Sequence, residues 1–259
     1  MSIPQKGRLM GVSLGPGDPG LITRRAWEAL QGPAHWTYPV RRQGDSSYAL
    51  DIVRRAGLSL PAAHTPLVFP MTHDTAILAR YWLQAAQTAL DILATGRDVT
   101  FLVEGDASTY STFTYLVRSI RALDGDIEVE TIAGVPSYHA SAAHLGEPLA
   151  ESDETLAILP AGYGVDTVER LLPEFDTLVL LKVKPLLDDL IDLLVRRGLL
   201  AKSCFLEKVG TPEERVVRDV ARLRGEKVNY LSLLLVRNPD RPRGALQRGC
   251  RKKSAGENA

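Results

Sequence analysis

The sequence predicts an α/β protein made of two consecutive α/β units. Three observations carry this reading. Short apolar runs of strand length alternate with amphipathic stretches of helical period. Turns rich in glycine and proline, or in polar residues, follow several of the apolar runs directly. The alternation then starts again after Ala133-Gly134-Val135-Pro136. Strands alternating with helices imply βαβ units and a largely parallel sheet.

The elements follow in chain order. Residues 8–14 (RLMGVSL) read as a strand. Residues 23–30 (TRRAWEAL) read as a helix with Thr23 as N-cap and Gly32-Pro33 as its stop. A second strand covers 34–40, and a long helix covers 74–95 and ends at Gly96. Residues 99–103 (VTFLV) form a strand of the fully buried kind, followed at once by Glu104-Gly105-Asp106. A helix over 113–123 and a strand over 127–132 complete the first unit, residues 1–134. The second unit, 135–240, opens with an alanine-rich helix at 137–145. Strands follow at 155–159, 177–181 (TLVLL), 203–206 and 230–236 (YLSLLLV). A helix at 185–197 carries Leu186, Leu190, Ile191, Leu193 and Leu194 on its apolar side. Residues 241–259 are polar, basic and turn-rich, and are expected to form a disordered tail.

Composition bounds the function. Thirty-one Lys and Arg balance 31 Asp and Glu, which disfavours a general nucleic-acid binder. The two cysteines, Cys204 and Cys250, lie far apart, so neither a disulfide framework nor a Cys-rich metal site is expected. His139 and His144 are five apart and do not share a helical face as i,i+4 residues would, so no metal site is expected. The first residues hold too short an apolar run for a signal peptide, and no run reaches membrane-spanning length. A cytoplasmic enzyme with no membrane partner is the expectation.

Gly15-Pro16-Gly17-Asp18-Pro19-Gly20 matches the G-x-G-x-x-G pattern of dinucleotide-binding loops. Three features argue against an NAD-dependent oxidoreductase. Pro16 and Pro19 have no N–H to offer a pyrophosphate. The helix starts only at Thr23, so its free N–H groups are not at the loop. No acidic residue stands well placed about 20 positions on. A packing turn, or a site of another kind, remains open. The stretch Glu104-Gly105-Asp106-Ala107-Ser108-Thr109-Tyr110-Ser111 follows the strongest strand of the first half. In an open parallel sheet, ligands bind beyond the carboxyl ends of the strands. Both loops are therefore expected on one edge of one sheet, although Asp106 could equally form an Asx-turn or cap a helix.

GPGDPGLIT at 15–23, EGDASTYST at 104–112 and AGVPSYHASAAHLGEPL at 133–149 occur in the order found in the tetrapyrrole methylases, and the chain resembles that family from Leu9 to Val236. The third segment is similar to the family's P-G-I-x-S motif and the helix after it; LLKVK at 180–184 and EKVGTPEERVV at 207–217 are similar to its later stretches. Tyr110-Ser111-Thr112-Phe113, SDETLAILPAG at 152–162 and YLSLLLV at 230–236 look like the members that methylate precorrin-2 at C20. Ala107 and Ala133 depart from the family's usual prolines.

The resemblance implies two α/β domains with S-adenosylmethionine (SAM) in the cleft between them, a homodimer, and a tetrapyrrole substrate. It places Pro16, Glu104, Gly105, Asp106, Thr109, Pro136, Ser137, Lys182, Val183 and Gly210 around the cofactor. Asp106 and Tyr110 are candidates for proton handling or ring positioning. The polycarboxylate substrate makes Arg24, Arg25, Arg41 and Arg42 candidates for its rim, with a solvated helix face as the competing reading of Arg24 and Arg25. Methylation of precorrin-2 at C20 gives precorrin-3A. The alternatives are the cobalt-containing counterpart, another ring position, or a relative of the same superfold acting on RNA or protein.

Overall fold

A computed structural model gives the architecture and describes residues 5–244. The chain forms two five-stranded sheets, each covered on both faces. The first sheet holds β1 (Leu9–Ser13), β2 (His35–Val40), β3 (His64–Val68), β4 (Val99–Val103) and β5 (Val129–Ile132), in the order β3-β2-β4-β1-β5. All its pairings are parallel. The strands β1 and β4 are buried along their whole length, as their near-continuous apolar sequences require. The pleat sends Val99, Phe101 and Val103 to one face and Leu102 to the other.

Helices α1 (Arg24–Leu30) and α2 (Tyr48–Arg55) cover one face, while α3 (Thr75–Leu93) and α4 (Thr112–Leu123) cover the other. Their starts are set by side chains: Thr23, Ser47, Asp74 and Ser111 each accept a backbone N–H of the first turn. The chain leaves β1 toward α1 on one face and leaves its neighbour β4 toward α4 on the opposite face. A crevice therefore opens beyond the ends of β1 and β4.

The second sheet holds β6 (Leu156–Pro160), β7 (Thr177–Leu181), β8 (Ser203–Glu207), β9 (Arg215–Val217) and β10 (Ser232–Arg237), in the order β6-β7-β10-β8-β9. Helices α6 (Val165–Leu171) and α7 (Leu187–Arg196) pack on one face. Helix α5 (Ser137–Leu145) packs on the other through Tyr138 and Ala140. This sheet corrects the expectation of largely parallel pairing. The last strand, β10, inserts antiparallel between β7 and β8, and β9 runs antiparallel to β8. The link from β8 to β9, residues 208–214, is shorter than the dozen or so residues a parallel crossover needs.

Four elements have no counterpart in the sequence reading: α2, β3, α6 and β9. The strand β3 contains Pro66 and lies at an edge, where a missing N–H is tolerated.

The end of the described chain is anchored. Arg241 and Arg243 reach back to Asp176, whose side chain is 1% exposed, at 3.0 and 2.8 Å. Thr155 adds its backbone N–H at 2.8 Å and its hydroxyl at 2.9 Å. The Arg241 hydrogen bond, strengthened by those from Thr155 and Arg243, outweighs burial and holds Asp176 well below the usual carboxylate range. The expected tail thus begins with two residues that carry ion pairs, and its residues 245–259 lie outside the described part.

Truncation after Asp240 removes both arginines and leaves a buried carboxylate with fewer partners, so we predict a fall in Tm of roughly 5 °C or more at pH 7. Truncation after Gly244 should leave Tm unchanged. The stability a depressed native pKa confers is complete above the unfolded value of about 3.9 and is lost only as pH falls on through the much lower folded value. The gap in Tm between the full chain and the shorter truncation should therefore begin to narrow below about pH 4 and keep shrinking as pH is lowered further. Thermal scans of the three proteins at pH 7 and in steps from about pH 4 to about pH 2 test this.

Candidate active site

The crevice of the first sheet faces the second domain across a cavity of about 300 Å³. Its floor is built from three converging chain segments. Gly15 and Gly105, both at positive φ, exchange backbone hydrogen bonds at 3.2 and 2.7 Å, so the loops after β1 and β4 are zipped together. The Ser13 hydroxyl accepts the Ala107 N–H at 2.9 Å. Gly134 completes the floor: a Cβ there would lie 2.4 Å from that of Ser13 and 2.7 Å from the Gly105 carbonyl oxygen. Only glycine lets these strands of chain meet.

Asp106 fastens them. Its Oδ1 accepts the Ser108 N–H at 2.9 Å, the Ser108 hydroxyl and the Thr109 hydroxyl, while Oδ2 accepts the Gly134 N–H at 2.8 Å. Burial pushes the Asp106 pKa up, but these hydrogen bonds outweigh it and keep the group below its ordinary value. The carboxylate is an ionised staple between the loop after β4 and the interdomain junction.

The cavity lining contains Pro16, Glu104, Gly105, Asp106, Thr109, Tyr110, Pro136, Ser137 and Lys182. Those predicted residues, drawn from both domains, come together. Val183 and Gly210 do not line it. Val183 is fully buried in the core beneath α7. Gly210 packs against the first loop, where an added Cβ would lie 2.5 Å from the Asp18 nitrogen. Arg24 pairs with Glu28 at 2.8 Å on the exposed face of α1, and Arg25 pairs with Glu130. The solvated-face reading holds for those two. Arg41 acts on the site at longer range, as a positive charge near Glu104.

Several lining residues were not found from sequence, among them Pro39, Tyr138, Lys208 and Tyr230. Backbone geometry marks part of this set. Tyr110, Lys182 and Lys208 have φ of 52°, 57° and 51°, in the left-handed region that side chains with a Cβ rarely adopt. Such strain persists only where the surroundings enforce it, and it collects at functional sites. The Lys182 ammonium lies 5.9 Å from the ring centres of both Tyr110 and Tyr230. The Tyr110 hydroxyl donates to the Ile158 carbonyl at 3.1 Å, so this side chain is a strut from the first domain to the second.

The glycine loop is packed against the second domain. A Cβ on Gly17 would lie 2.5 Å from the Val209 carbonyl oxygen, so the second domain already fills the space above the loop. Asp18 turns inward to cap a short 3₁₀ turn, accepting the Gly20 N–H at 2.8 Å. Gly105 is different: a Cβ there meets nothing within 4 Å, because the residue borders the cavity. This is an open cradle of backbone at a sheet crevice, walled by both domains, and it fits an elongated small cofactor such as SAM.

Two α/β domains around one cleft define the architecture, and comparison with known proteins identifies the family. The chain belongs to the Tetrapyrrole (Corrin/Porphyrin) Methylases, whose family model matches residues 8–223. It is 32% identical over 237 residues, 89% of its length and 96% of the relative's, to a protein of Methanocaldococcus jannaschii named as a probable cobalt-precorrin-2 C(20)-methyltransferase. It is 30% identical to the precorrin-2 C(20)-methyltransferase of Sinorhizobium sp, over 91% of this chain and 98% of that one. Among solved structures, a cobalt precorrin-4 methyltransferase superimposes with a TM-score of 0.67 at 22% identity, covering 88% of this chain and 94% of that one. A uroporphyrin-III C-methyl transferase from Thermus thermophilus, complexed with S-adenosylhomocysteine, superimposes with a TM-score of 0.58 at 23% identity, over 91% and 99%. At that identity the structural matches bear on the fold alone.

Replacing Asp106 by Ala strands the part-buried Gly134 N–H and frees the loop after β4. We expect a loss of about 2 kcal/mol in stability and weakened S-adenosylhomocysteine binding. Asp106→Asn keeps acceptor capacity on one oxygen and should recover part of both. Chemical denaturation and calorimetry on the two variants check the order.

Proposed function

We propose that the protein is a SAM-dependent methyltransferase that methylates precorrin-2, or its cobalt-containing form, at C20 of the ring in cobalamin biosynthesis. We further propose that it works in the cytoplasm as a homodimer. The observation that carries the activity is the backbone cradle at Gly105, set between the zipped loops and open to a cavity walled by both domains. The C20 assignment is supported by the relatives' names, which give that position for both metal-free and cobalt-containing substrates.

SAM bound in the cleft would supply an electrophilic methyl group. The protein's part is to align the partners and exclude water, which can provide most of the acceleration for an in-line displacement. Pro16, Gly105, Pro136 and Ser137 present backbone to the cofactor, and Thr109 flanks them. Lys182 and Lys208 line the cavity and give it positive charge, suited to the carboxylate arms of the substrate. In this reading Asp106 and Tyr110 are positioning residues. The first holds the cradle together, and the second sets the gap between the domains.

The test is incubation of the purified protein with labelled SAM and precorrin-2, followed by mass spectrometry and NMR of the product. One methyl on C20 is expected, and methylation at another ring position would overturn the assignment. Gly105→Val fills the cradle and should weaken S-adenosylhomocysteine binding tenfold or more, about 1.4 kcal/mol. Gly198→Val serves as the control, since Gly198 also has positive φ (65°) and open space around its missing Cβ but lies outside the cavity lining. It should lose stability through strain while keeping wild-type affinity. Equal affinity in both variants would remove Gly105 from the cofactor site.

A further inference from the structure

We infer that Glu104 is the proton acceptor of the reaction: it takes the hydrogen from the ring carbon that has just received the methyl group. The inference rests on the function proposed above and adds the residue that completes its chemistry.

When the ring carbon attacks, its enamine electron pair forms the new C–C bond, and the C–S pair leaves on sulfur, which becomes a neutral thioether. The carbon then carries both methyl and hydrogen. Conjugation returns when the C–H electron pair re-forms the ring double bond and the proton passes to a base. A carboxylate in the cavity closes the balance, and it hands the proton to water when the cleft opens.

The cavity offers two carboxylates among the described lining residues, Glu104 and Asp106. Both oxygens of Asp106 accept hydrogen bonds that hold the floor together. Protonating it would release the junction. Glu104 stands two residues earlier, at the carboxyl end of the fully buried β4 and directly before the Gly105 cradle. It has no hydrogen-bond or ion-pair partner among the described residues, although its neighbours do. Its side chain lies deep in the cleft yet keeps part of its surface open to it. The charged and titratable groups around it are Arg41 from the end of β2, Asp106 and Tyr110 on its own loop, Tyr138 on α5, and Lys182, Lys208 and Tyr230 from the second sheet's loops.

Burial pushes the Glu104 pKa up to about 7, against the opposing pull of Arg41. A base with that value is ionised in part at neutral pH and binds a proton readily, the compromise general-base catalysis favours. The Tyr110 hydroxyl is held by Ile158, and the lysines present ammonium donors.

The test compares wild type with Glu104→Gln and Glu104→Asp. In Glu104→Gln, kcat should fall at least 100-fold, with the S-adenosylhomocysteine Kd within threefold of wild type. Glu104→Asp should recover part of the rate. The wild-type kcat should rise with pH through about 7, as the carboxylate forms, and the rise should vanish in Glu104→Gln. A second readout needs no substrate. A native pKa of about 7 against an ordinary 4.5 means the folded state binds more protons across that window, so wild-type stability declines as pH rises through it. The Tm of Glu104→Gln should therefore gain on wild type between pH 4.5 and 7 and stay level above.

Three outcomes overturn the inference while leaving the proposed function intact: kcat within threefold of wild type in Glu104→Gln, a pH profile unmoved by the substitution, or lost cofactor binding, which would make Glu104 a cofactor ligand. A wild-type protein that methylates no tetrapyrrole would instead overturn the proposed function, and this inference with it.

Discussion

The site depends on the Asp106 carboxylate. It joins the loop after the central strand to the junction between domains, through donors on Ser108, Thr109 and Gly134. Without it, Gly134 has no reason to sit against Ser13 and the Gly105 carbonyl, and the second domain has no fixed point of departure. An ionised group suits this task, because a charged acceptor makes stronger hydrogen bonds than a neutral one, and a nearly buried site raises the cost of losing them. The residue that looks most chemical in the sequence is thus the one the fold can least release for chemistry.

Around that staple the cleft is defined by close approaches of backbone. The second domain reaches the first loop at Gly17, where the Val209 carbonyl occupies the position of a side chain. Leu21 of the first domain packs into the apolar cluster on the second sheet. Tyr110 crosses the gap to Ile158. These contacts fix the width of the cavity at separate points, and Lys182 between two tyrosine rings fixes one of its walls. A methyl transfer that relies on alignment needs such a gap to be set more closely than it needs reactive side chains.

Much of this was legible in the sequence, for identifiable reasons. The strands β1 and β4 are continuous apolar runs and cannot be anything exposed. The caps at Thr23 and Asp74 announce their helices. The arrangement of the two loops on one sheet edge follows from parallel topology. The rest depends on tertiary context. The edge strand β3 carries a proline that hides it, and the antiparallel insertion of β10 is a choice between sheet neighbours that no local pattern encodes. The motif around Lys182 led to Val183 as well, but past the end of β7 the left-handed backbone at Lys182 turns the chain and that neighbour enters the core. The left-handed backbone at Tyr110, Lys182 and Lys208 has no glycine or asparagine to signal it, because the surroundings impose it.

Glu104 shows how far motif and environment can separate. In the sequence it is one of three consecutive polar or small residues after a strand, and its neighbour Asp106 has the richer set of hydroxyls nearby. Those hydroxyls are what disqualify Asp106. A carboxylate surrounded by donors is stabilised as the anion and held in place, whereas one that points into a cleft without partners is destabilised as the anion and free to exchange a proton. Two acidic residues separated by one glycine thus receive opposite environments, and the glycine makes this possible. Its positive φ turns the chain between them: both side chains border the cavity, but the Asp106 oxygens are taken up by loop and junction donors while Glu104 meets the cavity without a partner among the described residues.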